Sequence, residues 1–421
     1  MANRHKLKIA IIGTGISGLS VANMLKERYE VTLFEQKDKI GGLIKCDTID
    51  SVLFHRVGGH VFNSRNKGVF DWFWSHFDKE NEFYQVKRNA KIFIYNKIIG
   101  YPIENYLYNF DKDIIKRVIH ELILTGSDKK LSPFEYPNFE EFLKNNFGET
   151  LYNLYFNPYN RKIWGTELKS IPMPWLEGKL PMPNLEEIIL SNIVHEEEDK
   201  MVHSTFYYPK KNGSQFLVDK LSEGLNIRLN RKISNILKDG EKYTIDGETG
   251  FDKIIYTGDV RNLPDYADNL LTSKMDLNAL KSLKSNGTSN ILCETDSNSL
   301  SWLYIPEDFT KAHRIIYTGN FSPANNGTRS RKTCVAEFSG KVEYDDMIKE
   351  LNKLPGNLTP ISYNYEPNSY VIHDFQTKEL INEAKAILKD EGIHLLGRFA
   401  EWEYYNMDKC IESAMKISAE I

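Results

Sequence analysis

Residues 7–35, LKIAIIGTGISGLSVANMLKERYEVTLFE, decide the fold of this chain. The apolar run at 7–12 predicts a buried parallel strand, residues 16–28 carry apolar side chains at helical spacing, and residues 30–35 predict a second strand. A strand, a helix and a strand within about 30 residues form a βαβ unit. The glycines between the first strand and the helix fit the pattern G-x-G-x-x-G, which is typical of a loop that binds the pyrophosphate of a dinucleotide.

The three glycines have separate predicted roles. Gly13 permits a tight turn, Gly15 lets the backbone approach a pyrophosphate, and Gly18 lets the helix pack close to the strand. The N-terminus of the helix then presents free N–H groups to the negative charge. Glu35 ends the second strand, 22 residues after Gly13, where its carboxylate can accept hydrogen bonds from ribose hydroxyls. A carboxylate at this point disfavours the 2′-phosphate of NADP.

Four further features of the sequence favour FAD over NAD. Gly41 and Gly42 follow the acidic strand and let the chain pass close to the dinucleotide, a feature of FAD folds. Residues 256–259 (YTGD) and 396–398 (LGR) each follow a predicted strand and resemble the two other segments associated with FAD. The helix that begins near Asp408 can direct its N-terminus at the flavin pyrimidine ring, which would stabilise an anionic reduced flavin. We therefore predict FAD as the cofactor.

Composition and charge argue against several classes of protein. Of the 421 residues, 41% are hydrophobic and 27% charged, and the net charge of −4 gives no basis for binding nucleic acid or an acidic membrane surface. The four cysteines form no C-x-x-C pair and have no metal-ligand spacing, so we predict reduced thiols and no metal. No apolar run is long enough to span a membrane. The N-terminal apolar run is not followed by a signal-peptide cleavage site, so we predict a cytoplasmic protein.

The pattern along the chain predicts an α/β protein with a discontinuous, Rossmann-type FAD-binding domain. Two lobes interrupt this domain: an inserted helical lobe, and a lobe with an antiparallel sheet that carries the substrate side. We assign the FAD-binding domain to residues 1–80, 205–265 and 380–421, the helical lobe to 105–180, and the sheet lobe to 81–104, 181–204 and 266–379.

Six motifs, in order and in register over nearly the whole chain, resemble the UDP-galactopyranose mutase family. They correspond to a histidine loop beside the flavin, an aromatic helix, a mobile loop, a substrate-side loop, a strand with an arginine, and a C-terminal flavin segment. In this sequence they are Gly59–Phe62; Tyr155, Phe156 and Tyr159 with 161–165 (RKIWG); 179–181 (KLP); 208–210 (YPK) with Gly213; Arg314 and Ile315 with 321–323 (FSP); and Gly397 and Arg398 with Tyr404, Met407 and Asp408.

The resemblance implies an isomerase with a defined reaction. It would be a FAD-dependent mutase, active with reduced flavin, that interconverts the pyranose and furanose forms of a nucleotide-diphosphate sugar such as UDP-galactopyranose. The flavin would act as a covalent catalyst while the protein holds the leaving diphosphate and keeps the sugar in place. By the same resemblance, Arg314 neutralises the diphosphate, Tyr404 adds a hydrogen bond to it, and Trp164 forms the wall behind the sugar. The family also suggests a homodimer, with the helical lobe as its interface, and a place in polysaccharide biosynthesis.

The glycine-rich loop and the resemblance together predict three sets of site residues. The catalytic set is His60, Trp164, Arg314 and Tyr404. The substrate set is Tyr155, Phe156, Tyr159, Trp164, Tyr208, Arg314, Tyr404 and Asn406. The cofactor set is Gly13, Gly15, Ile16, Ser17, Gly18, Glu35, Gly41, Gly42, Leu43, His60, Val61, Ile233, Gly258, Gly397, Arg398, Asn406 and Met407. On spacing alone, the aromatic stripe at 155–159 is more typical of a helix packed in a core.

Three substrate-side positions depart from the family pattern. The second loop histidine is Asn63, the arginine of the mobile loop falls at about Pro183, and the aspartate two residues after the tyrosine is Asn406. One diphosphate cation and one carboxylate are therefore missing, and the departures bear on the substrate rather than on the cofactor. Three lysines are candidates for replacing the lost arginine: Lys179, Lys210 and Lys211.

Other functions stay open at this level. An FAD-dependent oxidoreductase of the amine-oxidase or desaturase type shares the cofactor domain, but a redox enzyme with an apolar substrate should have a lipophilic funnel rather than tyrosines, a tryptophan and an arginine. A non-catalytic FAD-binding protein is consistent with the lost arginine and aspartate. Among mutases, the substrate could instead be a dTDP- or GDP-hexose or UDP-N-acetylgalactosamine. The reductant of the flavin could be NADPH, NADH or a reductase.

Overall fold

The computed structural model describes residues 6–127, 132, 135–173, 184–195, 204–271 and 274–421. Its strands are β1 (Lys8–Ile12), β2 (Glu30–Phe34), β3 (Cys46–Ile49), β4 (Val52–His55), β5 (Phe83–Lys87), β6 (Ala90–Ile94), β7 (Lys97–Gly100), β8 (Thr205–Pro209), β9 (Asn226–Arg228), β10 (Ile236–Asp239), β11 (Lys242–Ile245), β12 (Glu248–Phe251), β13 (Lys253–Tyr256), β14 (Lys284–Thr295), β15 (Trp302–Tyr304), β16 (Ala312–Ile316), β17 (Lys332–Ser339), β18 (Thr359–Ile372) and β19 (Ile393–Leu395). Its α-helices are α1 (Ile16–Leu25), α2 (Lys67–His76), α3 (Lys79–Glu82), α4 (Lys112–Ser127), α5 (Phe139–Leu151), α6 (Asn157–Trp164), α7 (Leu185–Val194), α8 (Gln215–Ser222), α9 (Leu263–Tyr266), α10 (Asp268–Leu271), α11 (Leu277–Lys281), α12 (Tyr344–Leu351), α13 (Thr377–Asp390) and α14 (Met407–Glu420).

A parallel sheet in the order β19-β13-β1-β2-β9 forms the predicted Rossmann-type domain. Strand β1 is the central strand, and its side chains are covered on both faces of the sheet. Its residues Ile9, Ala10 and Ile11 therefore have no exposed surface. Helix α1 joins β1 to β2, in which Leu33 pairs with Ile11, so the predicted βαβ unit is present. The five strands come from three separated parts of the chain. This confirms the predicted fold class, with its discontinuous FAD-binding domain.

The second sheet has the order β18-β14-β17-β16-β15-β6-β7 and is antiparallel except where β15 pairs with β6. Its register places Tyr304 on β15 opposite Arg314 on β16, and Arg314 opposite Glu337 on β17. Side chains that lie opposite each other on neighbouring antiparallel strands share one face of the sheet. The register therefore brings a tyrosine, an arginine and a glutamate side by side.

Helices α4, α5, α6 and α7 form the helical lobe, and a five-residue π-helical turn, Tyr152–Phe156, joins α5 to α6. Helix α7 lies in the stretch 181–204, which the sequence pattern assigned to the sheet lobe. Its Ile188 is buried in a core cluster that joins helices α4, α5 and α6 to strands β6 and β7. The side chain of Asn192 donates a 2.8 Å hydrogen bond to the carbonyl of Glu104 and accepts a 2.7 Å bond from the N–H of Leu107. Within the described ranges, no helix combines the length and the apolar character needed to cross a bilayer.

Candidate active site

A cavity of about 1470 Å³ lies between the two large sheets. On one side it is lined by residues that follow β1, β2, β13 and β19, at the carboxyl ends of the parallel strands. On the other side it is lined by residues of β15 and β16, among them Tyr304 and Arg314. Ligands of open α/β sheets bind outside the carboxyl ends of the strands. The cavity is therefore the candidate active site.

The glycine-rich loop is shaped for close approach of a ligand. Gly13 has a φ of 109°, and a Cβ atom added there would lie 2.2 Å from the side-chain oxygen of Thr257. A Cβ atom on Gly18 would lie 2.1 Å from the carbonyl oxygen of Gly13, so this glycine packs α1 against the loop and does not itself line the cavity. Gly15 is the N-cap of α1 and lines the cavity. Because glycine has no side chain, it does not cap the first N–H groups of the helix. The first N–H groups of α1 can therefore receive a pyrophosphate.

Glu35 lies at the cavity in the position that the sequence predicts for a ribose-binding carboxylate. Its side chain is buried and accepts hydrogen bonds from the N–H and hydroxyl of Thr14 and, at 2.9 Å, from the N–H of Lys37. These contacts fix the carboxylate between the first and second strands. The other predicted cofactor residues that line the cavity are Ile16, Ser17, Gly41, Gly42, Leu43, Val61, Ile233, Gly258, Arg398, Asn406 and Met407.

His60 lines the cavity, and one of its ring nitrogens is buried. Burial, together with the positive charges of Arg398 and Arg314, lowers the pKa of His60 to about 4, so the ring is neutral at pH 7. Its Nε2 atom is buried and has no hydrogen-bond partner among the described residues. The preceding Gly59 is required at this point, because a Cβ atom there would lie 2.6 Å from the side chain of Ile316. A buried, unpartnered nitrogen in a lined cavity fits a polar ligand such as the flavin.

The first turn of α14 also faces the cavity. Asn406 is the N-cap of this helix, its side chain makes no capping hydrogen bond, and Asn406 and Met407 both line the cavity. Arg398 donates hydrogen bonds to the carbonyls of Tyr405 and Ser369, and its guanidinium lies 4.9 Å from the ring centroid of Tyr404. Arg398 therefore ties the C-terminal segment in place. Gly397, with a φ of 95°, lies behind it and does not line the cavity.

Arg314 and Glu337 form a buried ion pair on the substrate side. The guanidinium of Arg314 lies 2.6 Å from Glu337 Oε1, and the same oxygen accepts hydrogen bonds from His313 (2.9 Å) and from the hydroxyl of Tyr370 (3.0 Å). Although burial opposes it, the neighbouring Arg314 and His313 lower the pKa of Glu337 to about 2. The arginine lines the cavity, as predicted, but a carboxylate behind it already matches much of its charge.

Trp164, the residue predicted to form the wall behind the sugar, does not line the cavity. It is buried, and its ring stands edge-on to the rings of Tyr370 and Tyr404, with centroids 5.5 Å apart in both cases. Tyr404 lines the cavity, whereas Trp164 does not. Trp164 therefore supports the tyrosine that faces the substrate side.

The aromatic helix is also one layer removed from the cavity. The rings of Tyr155 and Tyr159 are stacked with centroids 5.5 Å apart, and Phe156 packs against Phe147 inside the helical lobe. None of the three predicted substrate residues on this helix lines the cavity. Tyr159 instead meets Tyr304 edge-on, and it is Tyr304 that lines the cavity. Tyr304 thus lies between Tyr159 and the cavity, a contact between distant segments that the sequence pattern could not show.

Tyr208, another predicted substrate residue, lies apart from the cavity. Its side chain has no exposed surface and does not line the cavity. Its hydroxyl lies 2.6 Å from His55 Nε2 and accepts a 2.8 Å hydrogen bond from the side-chain amide of Asn325. The residue belongs to a buried polar network, because a buried hydroxyl must be paired.

Of the positions that depart from the family pattern, and of the lysines considered as replacements, some line the cavity and others do not. Asn63 lines the cavity and donates a hydrogen bond to the carbonyl of Thr205 (2.7 Å). Lys210 binds the carbonyl of Glu80 and, like Lys211, lies away from the cavity. Two further predicted positions, Lys179 and Pro183, lie outside the described residues.

Sequence reasoning missed four residues that line the substrate side: Arg88, Tyr101, Trp302 and Tyr304. Arg88 follows Lys87 in a polar stretch and was not among the predicted site residues. The signal that could have located it is the pairing of β6 with β15, which is a contact between residues far apart in the chain. Across the described residues, no group of three or more potential ligands could hold a metal ion.

Comparison with known proteins identifies the family. Residues 11–77 match the NAD(P)-binding Rossmann-like domain. Residues 112–338, more than half of the chain, match the family described as flavin containing amine oxidoreductase. The chain belongs to the flavin-containing amine oxidoreductase family.

Within the flavin-containing amine oxidoreductases, the chain is similar to nucleotide-sugar mutases. It is 23% identical to a UDP-galactopyranose mutase of Mycoplasma genitalium, over 100% of this chain and 96% of the relative. It is 30% identical to a dTDP-fucopyranose mutase of Escherichia coli, over 42% of this chain and 46% of the relative. The crystal structure of a reduced UDP-galactopyranose mutase has the same fold, with a TM-score of 0.86 and 22% identity over 98% of this chain and 93% of that one. These findings confirm the predicted resemblance, the isomerase class and FAD as the cofactor.

Proposed function

We propose that this flavoprotein interconverts the pyranose and furanose forms of a nucleotide-diphosphate sugar, with UDP-galactopyranose and galactofuranose as the leading pair, and that it acts with reduced FAD. The observation that carries the proposal is the composition of the cavity. It joins a glycine-rich dinucleotide loop to a wall with two arginines, Arg88 and Arg314, and several tyrosines. A charged, ring-bearing substrate fits such a wall better than an apolar one.

The residues of the flavin side would hold the cofactor. The N-terminus of α1 would bind the pyrophosphate, Glu35 the ribose, and the first turn of α14 the flavin end. When bound and reduced, the flavin supplies a nucleophile to the sugar. His60, being neutral, would act there by hydrogen bonding through Nε2 rather than by charge.

The residues of the substrate side would position the sugar and neutralise its leaving group. Arg314 would hold the diphosphate while the sugar is rearranged, and its orientation is fixed by Glu337 and Tyr370. Tyr404, supported by Trp164 behind it, would contact the same part of the substrate. Fixed, partly desolvated groups of this kind stabilise developing charge without needing to reorganise.

The three substrate-side departures from the pattern of the UDP-galactopyranose mutases favour a second candidate substrate, a dTDP-hexose. A dTDP-fucopyranose mutase is 30% identical over 42% of this chain, and a probable UDP-galactopyranose mutase is 29% identical over 41%. Further proposals are reduction of the flavin by NADPH, NADH or a reductase, a homodimer as the family resemblance suggests, and a cytoplasmic location.

A product assay tests the proposal. Protein with dithionite-reduced flavin is offered UDP-, dTDP- and GDP-hexopyranoses, and the furanose is sought by chromatography, with oxidised protein as the control. We expect furanose only with reduced flavin, without net consumption of reductant. Substrate-dependent reduction of the flavin, without isomerisation, would contradict the proposal and favour an oxidoreductase. The Arg314→Ala variant should lose most of the activity, and normal turnover by it would remove this residue from the mechanism.

A further inference from the structure

Arg88 projects into the substrate side of the cavity from the connection between β5 and β6. Its backbone N–H donates a 2.8 Å hydrogen bond to the carbonyl of Ser204. Its guanidinium donates a 2.8 Å hydrogen bond to the hydroxyl of Tyr304 and lies 5.3 Å and 5.4 Å from the ring centroids of Tyr101 and Trp302. All four side chains line the cavity. Arg88 is therefore held in one orientation by an aromatic box.

The box keeps the guanidinium charged. Burial opposes the charge, but the hydroxyls of Tyr304 and Tyr101 raise the pKa of Arg88 above its usual value. A guanidinium over aromatic faces is also favoured by cation–π attraction and retains the geometry that matches phosphate oxygens. The cavity thus contains a fixed cation that the sequence did not identify.

Arg88 and Arg314 flank the same tyrosine. Tyr304 lies opposite Arg314 in the register of β15 and β16, and its hydroxyl accepts the hydrogen bond from Arg88. Arg314 is paired with the buried carboxylate of Glu337. A nucleoside diphosphate carries a negative charge on each phosphate. Because the charge of Arg314 is already partly matched by a carboxylate, a second cation would be needed to neutralise both phosphates.

We propose that Arg88 is a second diphosphate-binding residue, which acts with Arg314 on the nucleotide sugar and supplies the cation that the departure at Pro183 removes. The inference rests on the proposed function, because it requires a nucleoside diphosphate in this cavity. It replaces the earlier candidates Lys210 and Lys211, which lie away from the cavity.

The test is the dependence of binding on the number of phosphates. FAD-loaded protein is titrated calorimetrically with uridine, UMP and UDP, and with thymidine, dTMP and dTDP. Arg88→Met should weaken the binding of the diphosphate about 10- to 100-fold, the monophosphate less, and the nucleoside not at all, because a hydrogen bond to a charged group is lost. Arg88→Lys, which keeps the charge, should be intermediate. Arg161→Met is the matched control, since Arg161 is half-exposed, pairs with Glu167 and lies outside the cavity.

The outcomes separate the inference from the proposed function. Equal losses for nucleoside and diphosphate would overturn the inference and assign Arg88 to shaping the base pocket. Unchanged diphosphate binding in both Arg88 variants would also overturn it. If the wild-type protein binds neither UDP nor dTDP, the proposed function fails and the inference fails with it. The flavin absorbance spectrum and the melting temperature of each variant show whether the fold is retained. The affinities for nucleoside, monophosphate and diphosphate are compared with one another within each variant.

Discussion

Replacing Glu337 by glutamine should destabilise the protein in a way that depends on pH. The substitution preserves the shape of the side chain and removes its charge. Glu337 is almost fully buried, and one of its oxygens accepts hydrogen bonds from His313, Arg314 and Tyr370. A pKa lowered from 4.5 to about 2 corresponds to about 3 kcal/mol of stability at neutral pH. Removing one partner of a buried ion pair costs about 3 to 5 kcal/mol, which agrees.

The pH dependence follows from the direction of the pKa shift. A carboxyl whose pKa is lower in the folded state stabilises the fold above its unfolded pKa, and the contribution is lost as the pH falls through the folded value. The difference between wild type and Glu337→Gln should therefore be full at pH 7 and 5. It should shrink between about pH 4.5 and about pH 2, as the wild-type carboxylate takes up its proton.

Urea unfolding of the FAD-loaded proteins at pH 7, 5, 4 and 3, followed by tryptophan fluorescence, measures this difference. Glu343→Gln is the matched control, because Glu343 pairs with Lys341 at the surface with 73% of its side chain exposed. It should change the free energy of unfolding by less than about 0.5 kcal/mol. A difference for Glu337→Gln below about 1 kcal/mol at pH 7, or one that does not change between pH 5 and pH 3, would refute the reasoning.

Three further outcomes are expected. Gly18→Ala should weaken FAD binding at least about tenfold in a fluorescence titration, because the added Cβ atom would clash with the phosphate loop. The control Gly68→Ala in α2, whose added Cβ atom has its nearest contact at 3.4 Å, should bind FAD normally. Equal affinities for the two variants would contradict the role of the loop. Glu35→Gln should weaken FAD binding about tenfold by removing a charged acceptor, and unchanged affinity would place the ribose elsewhere. Tyr208→Phe should lower the free energy of unfolding by about 1 to 3 kcal/mol and leave KM unchanged. Tyr404→Phe should alter KM or kcat and leave the melting temperature unchanged. The reverse pattern would indicate that Tyr208 belongs to the substrate site.

The sequence by itself predicted the dinucleotide-binding fold and FAD as its cofactor. The glycines at 13, 15 and 18 and the carboxylate of Glu35 lie within one βαβ unit, whose geometry is set by local hydrogen bonding and by hydrophobic periodicity. Arg314 was also located from sequence, through its resemblance to a known strand motif, and it does line the cavity.

The substrate half depended on the tertiary structure. The cavity wall draws Arg88, Trp302, Tyr304 and Arg314 from three strands or their ends, and the pairing of β6 with β15 joins segments about 200 residues apart. Periodicity indicates that a helix or strand has an apolar face, but it does not indicate which element covers that face. The aromatic helix that contains Tyr159 therefore resembled a substrate platform, yet it packs behind Tyr304. Local patterns determined how the cofactor loop is built, and only long-range packing decided which side chains line the opposite wall of the cavity, because that choice depends on contacts that no short stretch of sequence contains.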